Sequence, residues 1–269
     1  MVGMASAINR RVPTRVGTLA IADDESMGTP LVLWPSLFSD HRLYDDVLPL
    51  LGEQWRTIRI DGPGFGQSDP PAGDVQPDHY ADAVIDVLDA LGIDRCVMAG
   101  CSWGGQVSAH IGARSPDRVH GVLMMNTPLS PSQGGHFAQV NGTRLVGNTR
   151  FWGNGVARSM LAKSTHADHP ERVKAFVSAF SSFDRKAAAT TTRTILTRGP
   201  GLQDVLPKLT VPTVILMGAQ DALYPPEGAM PIARLAPKAT IEVVPGSAHL
   251  SPIDTPEAVV VAINSLAPA

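Results

Sequence analysis

Cysteine is scarce in this chain, whose 269 residues include only Cys96 and Cys101. The two lie five positions apart along a predicted strand. At about 3.3 Å per residue their α-carbons would be about 16 Å apart, which is too far for a disulfide bond. A chain without disulfides is typical of a reducing compartment, so the sequence predicts a cytoplasmic protein.

Long apolar runs and blocks of one charge are also missing. No run approaches the length of about 20 residues that crosses a bilayer, and residues 1–15 lack the apolar segment of a signal peptide. The 22 basic and 25 acidic residues give a net charge of −3. This balance argues against a nucleic-acid partner and against binding to an anionic membrane surface. The hydrophobic content of 43% is that of an ordinary globular protein.

One short stretch carries the clearest chemical indication. The motif Gly-Cys-Ser-Trp-Gly at residues 100–104 follows an apolar run and precedes a helical pattern. Gly-x-Ser-x-Gly at such a strand-to-helix turn is typical of a nucleophilic serine, here Ser102. The two glycines leave room in a crowded turn, and the backbone N–H of Trp103 would point toward an oxyanion on the substrate. The neighbouring Cys101 is expected to point into the sheet packing and to be structural.

Strand and helix patterns alternate along most of the chain. This alternation predicts an α/β fold with a mostly parallel sheet covered by helices on both faces. Residues 129–205 break the rhythm, because they contain helical patterns but no convincing strand. The sequence therefore predicts a core of residues 1–128 and 206–269 and a helical cap or lid of residues 129–205. Ligands of such sheets bind at the carboxyl ends of the strands, and the active site is expected there.

A serine hydroxyl becomes a good nucleophile only when a base accepts its proton. Among the eight histidines, His249 comes directly after the last predicted strand, at the expected edge of the sheet. The other histidines are predicted on helices, at the amino end of a strand or in the cap. His166 and His169 could suggest a metal pair, but their segment offers no third ligand, so no metal is expected.

A carboxylate is needed to orient the histidine and to stabilise its charged form. Asp221 is the best candidate, because it follows the apolar strand that ends at Met217. Asp204 precedes that strand and Asp254 lies at the edge of a helix, so both are weaker candidates. Asn126 ends an earlier strand, where some relatives of this architecture place the acid, but it has no charge to stabilise an imidazolium.

The chain order Ser102, Asp221, His249 resembles that of the α/β-hydrolase fold superfamily. Two further segments carry the resemblance: Asp-Gly-Pro-Gly-Phe-Gly-Gln-Ser-Asp at residues 61–69 and Gly-Ser-Ala-His at residues 246–249. The glycines of the first segment are out of register for a dinucleotide-binding loop. The resemblance extends from about residue 16 to near the end of the chain. It implies a Ser-His-Asp triad, a helical lid inserted after the sixth strand, and no cofactor.

The loop before the first predicted helix departs from the family pattern. Where the family usually has His-Gly, residues 34–40 are Trp-Pro-Ser-Leu-Phe-Ser-Asp. The resemblance then implies the backbone N–H groups of Leu37 and Trp103 as the oxyanion donors. An Asn-Ser-Leu version of this loop is typical of 3-oxoadipate enol-lactonases, which the chain also resembles in length, lid size and its Pro-Gly-Ser-Ala-His-Leu segment. The indole of Trp103 could also form a pocket wall.

The motifs together predict a serine hydrolase that cleaves a carboxylic ester or lactone through an acyl-enzyme intermediate. Two alternatives remain open: a carbon–carbon bond hydrolase acting on a ring-cleavage dienoate, and a ligand-binding homologue without turnover. Dehalogenases and epoxide hydrolases need an aspartate nucleophile, and Ser102 occupies that place. The expected partner is a small-molecule substrate, with neither nucleic acid nor membrane, and the choice between monomer and homodimer stays open. Apolar residues that could line the substrate pocket are Phe38, Phe137, Phe151, Trp152 and Met160.

Overall fold

A computed structural model describes residues 8–73, 75–130, 137–198 and 201–268 of the chain. Its described residues form an eight-stranded sheet in the order β1-β2-β4-β3-β5-β6-β7-β8. Strands β1 and β2 pair in the antiparallel sense, as do β2 and β4, and all other neighbours are parallel. The strands are β1 Arg10–Thr14, β2 Gly17–Asp23, β3 Thr29–Trp34, β4 Trp55–Ile60, β5 Cys96–Cys101, β6 Val119–Met125, β7 Thr213–Gly218 and β8 Ala239–Val244.

Helices connect the parallel strands. Within the described residues they are α1 Pro77–Ala90, α2 Trp103–Arg114, α3 Phe137–Val146, α4 Arg150–Met160, α5 Lys163–Asp168, α6 Pro170–Ser181, α7 Arg185–Arg198, α8 Pro226–Ala233, α9 Ser251–Asp254 and α10 Pro256–Asn264. None of these described helices combines the length and the apolar character that crossing a membrane requires.

Burial explains why the central strands are continuous apolar runs. Every residue of β5 and β7 is buried, as are the last four residues of β3. A strand that is buried along its whole length is covered on both faces, as expected for the middle of a parallel sheet. Strand β5 lies between β3 and β6, so its carboxyl end falls at the middle of the sheet edge. The predicted α/β fold with a mostly parallel sheet is confirmed.

The sequence pattern gives no indication of a strand before about residue 16, but residues 10–14 form the edge strand β1. The strand pairs with β2, but only Val12 is buried, and Arg10, Arg11 and Pro13 give it no apolar pattern. Charged residues and proline are common on edge strands, where the backbone faces solvent. A sequence pattern based on burial therefore cannot detect this strand.

After the β3 loop, the sequence pattern predicts one amphipathic helix through Leu43, Val47, Leu50 and Leu51. This prediction was wrong. The segment forms two short 3₁₀ turns, His41–Tyr44 and Leu48–Leu50, instead of one α-helix. Pro49 lies inside the second turn and has no backbone N–H, so it cannot donate the bond that would continue an α-helix. Leu43 and Val47 are still buried in the core, whereas Leu50 is exposed.

Helices α3 to α7 all lie between β6 and β7 and form the helical insertion. Within it, α3 packs on α7 and α4 packs on α6. The short helix α5 was not predicted, and helix α4 begins at Arg150, whereas the sequence pattern predicts a helix over residues 156–163. The division into a core of residues 1–128 and 206–269 and a cap of residues 129–205 stays a prediction.

Candidate active site

Ser102 lies at the sharp turn between β5 and α2. Its backbone has φ 55° and ψ −111°, a conformation that residues other than glycine rarely adopt. A Cβ atom on Gly100 would come within 2.0 Å of the carbonyl oxygen of Gly104. A Cβ atom on Gly104 would lie 2.3 Å from the carbonyl oxygen of Trp34. The turn can therefore close only with glycine at both positions, which is the physical reason for the motif.

The three residues of the predicted triad meet at the carboxyl edge of the sheet. The Nε2 atom of His249 is 2.8 Å from Ser102 Oγ, and its Nδ1 atom is 2.8 Å from Asp221 Oδ2. All three side chains are buried. An ionised carboxylate can only accept hydrogen bonds, so Nδ1 carries the imidazole proton and Nε2 is left to accept from the serine hydroxyl.

The carboxylate of Asp221 is held by its own loop. Its Oδ1 atom accepts hydrogen bonds from the backbone N–H groups of Leu223 (2.9 Å) and Tyr224 (3.1 Å), which leaves Oδ2 facing His249. The ring of Tyr224 also lies 5.5 Å from the imidazole of His249. Burial and the nearby Asp221 raise the pKa of Tyr224 to about 12, so the phenol is neutral at neutral pH. The sequence analysis did not identify Tyr224.

Asn126 joins the three loops that carry this site. It follows β6 with φ 48°, and its side-chain amide donates to the carbonyl oxygen of Ala248 (2.7 Å) and, more weakly, to Asp221 Oδ2 (3.4 Å). Its Oδ1 atom accepts a hydrogen bond from the hydroxyl of Ser251. Asn126 has no charge, so the sequence does not predict it as the acid of the triad. Its position at a strand end was the indication that it belongs to the site.

Asp254, a rejected candidate for the acid, connects the helical insertion to the histidine loop. Its carboxylate accepts hydrogen bonds from the backbone N–H of Ala248 (2.8 Å), the backbone N–H of Ala162 (3.1 Å) and the hydroxyl of Thr165 (2.5 Å). Burial raises the pKa of Asp254, although these hydrogen bonds oppose that shift. The carboxylate therefore binds residues on both sides of the junction and, among the described residues, forms no hydrogen bond with His249.

The two predicted oxyanion donors have free N–H groups. Among the described residues, neither the backbone N–H of Leu37 nor that of Trp103 has a hydrogen-bond acceptor. The loop that contains Leu37 follows β3, and the contact of Gly104 with Trp34 places the start of α2 against it. Phe38, the next residue, has φ 67°, so the backbone of this loop is strained as well.

The side chain of Trp103 packs in the core. Its ring centroid lies 5.5 Å from that of Trp34, 5.0 Å from that of Tyr80 and 6.1 Å from that of Phe65. A Cβ atom on Gly62 would come within 2.5 Å of the indole, which shows how closely the loop after β4 covers it. The indole is therefore held among aromatic side chains, and its role as a pocket wall stays a prediction.

The four predicted pocket residues whose side chains the structure describes fall into three groups by burial. Phe38 is buried against Phe180, and Met160 is buried at the end of α4, where its carbonyl accepts the backbone N–H of His249. Trp152 is half-buried. Phe151 is 85% exposed, because it lies nine residues before Met160 and so on the opposite face of α4. The structure does not bring Phe151 to the site, and the side chain of Phe137 lies outside the described residues.

Two further groups of polar side chains have structural explanations. Asp40, His41 and Asp61 form the one described cluster with ligand atoms close enough for a metal. Asp61 accepts the side-chain and backbone N–H of His41, and Asp40 binds Arg42, so neighbouring donors occupy these carboxylates. The thiol of Cys101 is buried, and burial raises its pKa well above that of a free cysteine, which disfavours a nucleophilic thiolate.

A family model described as alpha/beta hydrolase fold matches residues 29–256. The chain belongs to this family. Haloalkane dehalogenase 2 of Mycobacterium tuberculosis is 26% identical over 252 residues, which cover 89% of this chain and 88% of that protein. The likeness places this protein among the hydrolases of the alpha/beta fold family.

Solved structures of two other hydrolases are similar to this one. An esterase from Thermogutta terrifontis matches with a TM-score of 0.83 and 26% identity, covering 96% of this chain and 97% of that chain. The enol-lactonase from Burkholderia xenovorans LB400 matches with a TM-score of 0.87 and 20% identity, covering 96% of this chain and 99% of that chain. At this identity the second likeness shows the fold alone. Hydrolases of several kinds thus share the architecture.

Proposed function

We propose that this hydrolase cleaves a carboxylic ester or lactone with Ser102 as nucleophile, His249 as general base and Asp221 as its orienting acid. The observation that carries the proposal is the continuous hydrogen-bonded arrangement from Asp221 through His249 to Ser102, with 2.8 Å at both steps. Nucleophile, base and orienting group at these distances meet the geometric requirement of nucleophilic catalysis.

The reaction proceeds in two halves. The Oγ atom of Ser102 attacks the carbonyl carbon while its proton passes to Nε2 of His249, and the imidazolium is stabilised by Asp221. Collapse of the tetrahedral intermediate breaks the bond to the alcohol oxygen, which takes the proton from His249. Water, activated by the same imidazole, then attacks the acyl-enzyme and releases the acid and the free serine. In a lactone both products are one hydroxy acid.

The negative charge of each tetrahedral intermediate needs donors that are already in place. The backbone N–H groups of Leu37 and Trp103, which have no acceptor among the described residues, are the proposed donors, and both residues are buried. Removing one such donor costs about 10²- to 10³-fold in kcat in a well-studied protease. Because both groups belong to the backbone, their role is best tested through the loops that hold them.

The nature of the nucleophile favours acyl transfer over dehalogenation. Displacement of a halide from an alkyl carbon requires a carboxylate nucleophile, whose ester intermediate water can hydrolyse at the acyl carbon. A serine would form an ether, which the same water attack does not cleave. The presence of Ser102 therefore separates the proposed activity of this chain from that named for the dehalogenase relative.

A hydrolysis panel tests the proposal. Purified protein is assayed with p-nitrophenyl esters of increasing acyl length, several γ- and δ-lactones and a ring-cleavage dienoate. We expect turnover of an ester or lactone that falls by several orders of magnitude in Ser102→Ala. Ser265→Ala, an exposed serine-to-alanine change on the far end of α10, is the matched control and should keep wild-type activity.

Three outcomes would change the proposal. A dienoate that is cleaved faster than every ester would favour the carbon–carbon bond hydrolase. Inactivity across the panel, with rapid fluorophosphonate labelling of Ser102, would leave the triad competent and place the selectivity in the pocket. Inactivity together with labelling no faster than that of a surface serine would favour a ligand-binding homologue.

A further inference from the structure

The turn between α3 and α4 exposes large apolar side chains. In this corner, residues 144–151, the exposed fractions are 68% for Leu145, 39% for Val146 and 85% for Phe151. Leaving a side chain of this size exposed forgoes about 1.5–3 kcal/mol of burial free energy. Exposed apolar residues grouped in one segment mark a contact surface more often than scattered ones do.

The charges around this corner are of one sign. No acidic residue occurs between Asp117 and Asp168, whereas the chain as a whole has 25. The cations in that interval are Arg118, Arg144, Arg150, Arg158 and Lys163. Asp184 directly precedes helix α7, and its Oδ1 atom accepts a hydrogen bond from the backbone N–H of Ala187 (2.8 Å).

The arginines of the corner also differ in their partners from many other arginines of the chain. Among the described residues, Arg144 and Arg150 are exposed and form no ion pair. By contrast, many arginines elsewhere pair with a carboxylate: Arg10, Arg11, Arg15, Arg42, Arg56, Arg59, Arg114, Arg118 and Arg172. Arg185, whose guanidinium donates to the carbonyl oxygen of Leu145 (3.1 Å), adds a further positive charge beside the corner. Within the part of the chain that the structure describes, no carboxylate therefore pairs with Arg144 or Arg150.

We propose that the α3–α4 corner docks this hydrolase on an anionic lipid surface. Phe151 and Leu145 would enter the interfacial region, and Arg144 and Arg150 would meet the lipid phosphates. Exposed apolar side chains flanked by unpaired arginines are the combination that interfacial binding requires. A nucleic acid would use the cations but would leave the aliphatic side chains in water.

This proposal departs from the expectation drawn from the net charge. A net charge of −3 is a sum over the whole chain. It says nothing about how charge is distributed, and it therefore does not reveal a local group of arginines such as the one at the corner. An electrostatic contact with a surface depends on the charges within about 10 Å of it at ordinary salt. The corner can therefore bind an anionic surface although the protein as a whole is acidic. The proposal is independent of the catalytic function.

Vesicle flotation tests the proposal directly. Purified protein is mixed with vesicles of phosphatidylcholine alone or of phosphatidylcholine with phosphatidylglycerol. We expect binding to the anionic vesicles that weakens when the ionic strength rises from about 0.05 to about 0.5 M, because salt screens exposed charges. Arg144→Gln with Arg150→Gln should weaken binding about fivefold for each arginine. Leu145→Ser with Phe151→Ser should weaken it at least about tenfold.

Matched controls come from other exposed positions. Val261→Ser removes an apolar side chain that is 65% exposed on α10, and Arg234→Gln removes an exposed arginine without an ion pair in the described structure. Neither should change vesicle binding, and circular dichroism should show all variants folded.

Three results would overturn the proposal: absence of binding to anionic vesicles, binding that survives both double substitutions, or equal losses in the controls. A concentration-dependent dimer in light scattering that Leu145→Ser with Phe151→Ser dissolves, without vesicle binding, would instead show that a second copy covers the corner.

Discussion

The backbone N–H of His249 donates a hydrogen bond of 2.9 Å to the carbonyl oxygen of Met160. This bond joins the candidate base directly to the end of α4 in the helical insertion. Asp254 adds a second connection at the same junction, since it binds Ala248 on one side and Ala162 with Thr165 on the other. The position of the imidazole is therefore coupled to the position of the insertion, and several expectations follow from this geometry.

Asp254→Asn tests that coupling. The amide keeps the shape of the side chain but offers one acceptor oxygen and no charge, so at least one of the donors on Ala248, Ala162 and Thr165 loses its partner. We expect a loss of about 1–3 kcal/mol in the free energy of unfolding and a lower kcat with little change in KM. Denaturant unfolding and steady-state kinetics measure the two effects. Asp204→Asn, at an exposed position, is the control, and a wild-type kcat in Asp254→Asn would contradict the coupling.

Asn126 offers a test of how the acid is positioned. Asp221→Asn should lower kcat about 10⁴-fold, because the imidazole loses the acceptor that fixes its tautomer. Adding Asn126→Asp places a carboxylate beside the former site of Asp221 Oδ2, which lies 3.4 Å from the Asn126 amide. We expect the double variant to recover at least about tenfold of the lost kcat. Asn126→Leu in the same background supplies no carboxylate and should recover nothing, and equal recovery by both would contradict the prediction.

Two glycines that differ in their surroundings test the elbow. Gly104→Ala would place a methyl group 2.3 Å from the carbonyl oxygen of Trp34, so the loop after β3 or the start of α2 must shift. We expect this variant to lose activity and to melt at a lower temperature. Gly155→Ala in α4 meets no atom within 4 Å and should raise the stability by about 0.5–1 kcal/mol. A Gly104→Ala enzyme with wild-type kcat would show that the turn tolerates a side chain.

The cysteines give a prediction from burial and pKa. Burial raises the pKa of Cys96 to about 12 and that of Cys101 well above the usual range, so neither forms the reactive thiolate at neutral pH. We expect native protein to react with a chromogenic disulfide reagent only as fast as it unfolds, and to release two thiols in denaturant. Rapid reaction of one thiol in the native state would contradict the prediction, and repeating the assay on Cys96→Ser and Cys101→Ser would show which thiol reacts.

Much of the site could be predicted because its residues come just after strands of the parallel sheet. Strands β5, β7 and β8 carry apolar or β-branched runs, and the residue types that come after them are few. Ser102, Asp221 and His249 could thus be chosen by their place at the carboxyl edge of the sheet. In the structure, the two ring nitrogens of His249 lie 2.8 Å from Ser102 Oγ and 2.8 Å from Asp221 Oδ2. Their catalytic roles stay a prediction until the serine variant is assayed.

What could not be predicted depends on side-chain direction. Phe151 and Met160 both looked apolar in the sequence, but the phase of α4 turns one to solvent and the other inward. The same limit hid the burial of the Trp103 ring and the part played by Asn126, whose amide matters only because three loops meet around it. Edge strand β1 was missed because its stability comes from pairing with β2, not from burial.

The backbone of the site has an energetic consequence. Phe38, Ser102 and Asn126 are three of the four non-glycine residues with positive φ in the described chain, and each such conformation costs about 1–3 kcal/mol. Packing and hydrogen bonds elsewhere in the molecule must offset this cost to keep the three residues in these backbone conformations. At this edge of the sheet, the backbone conformations that position the candidate site therefore lower the thermal stability of the protein. Substitutions selected for heat resistance alone should accumulate here and reduce turnover.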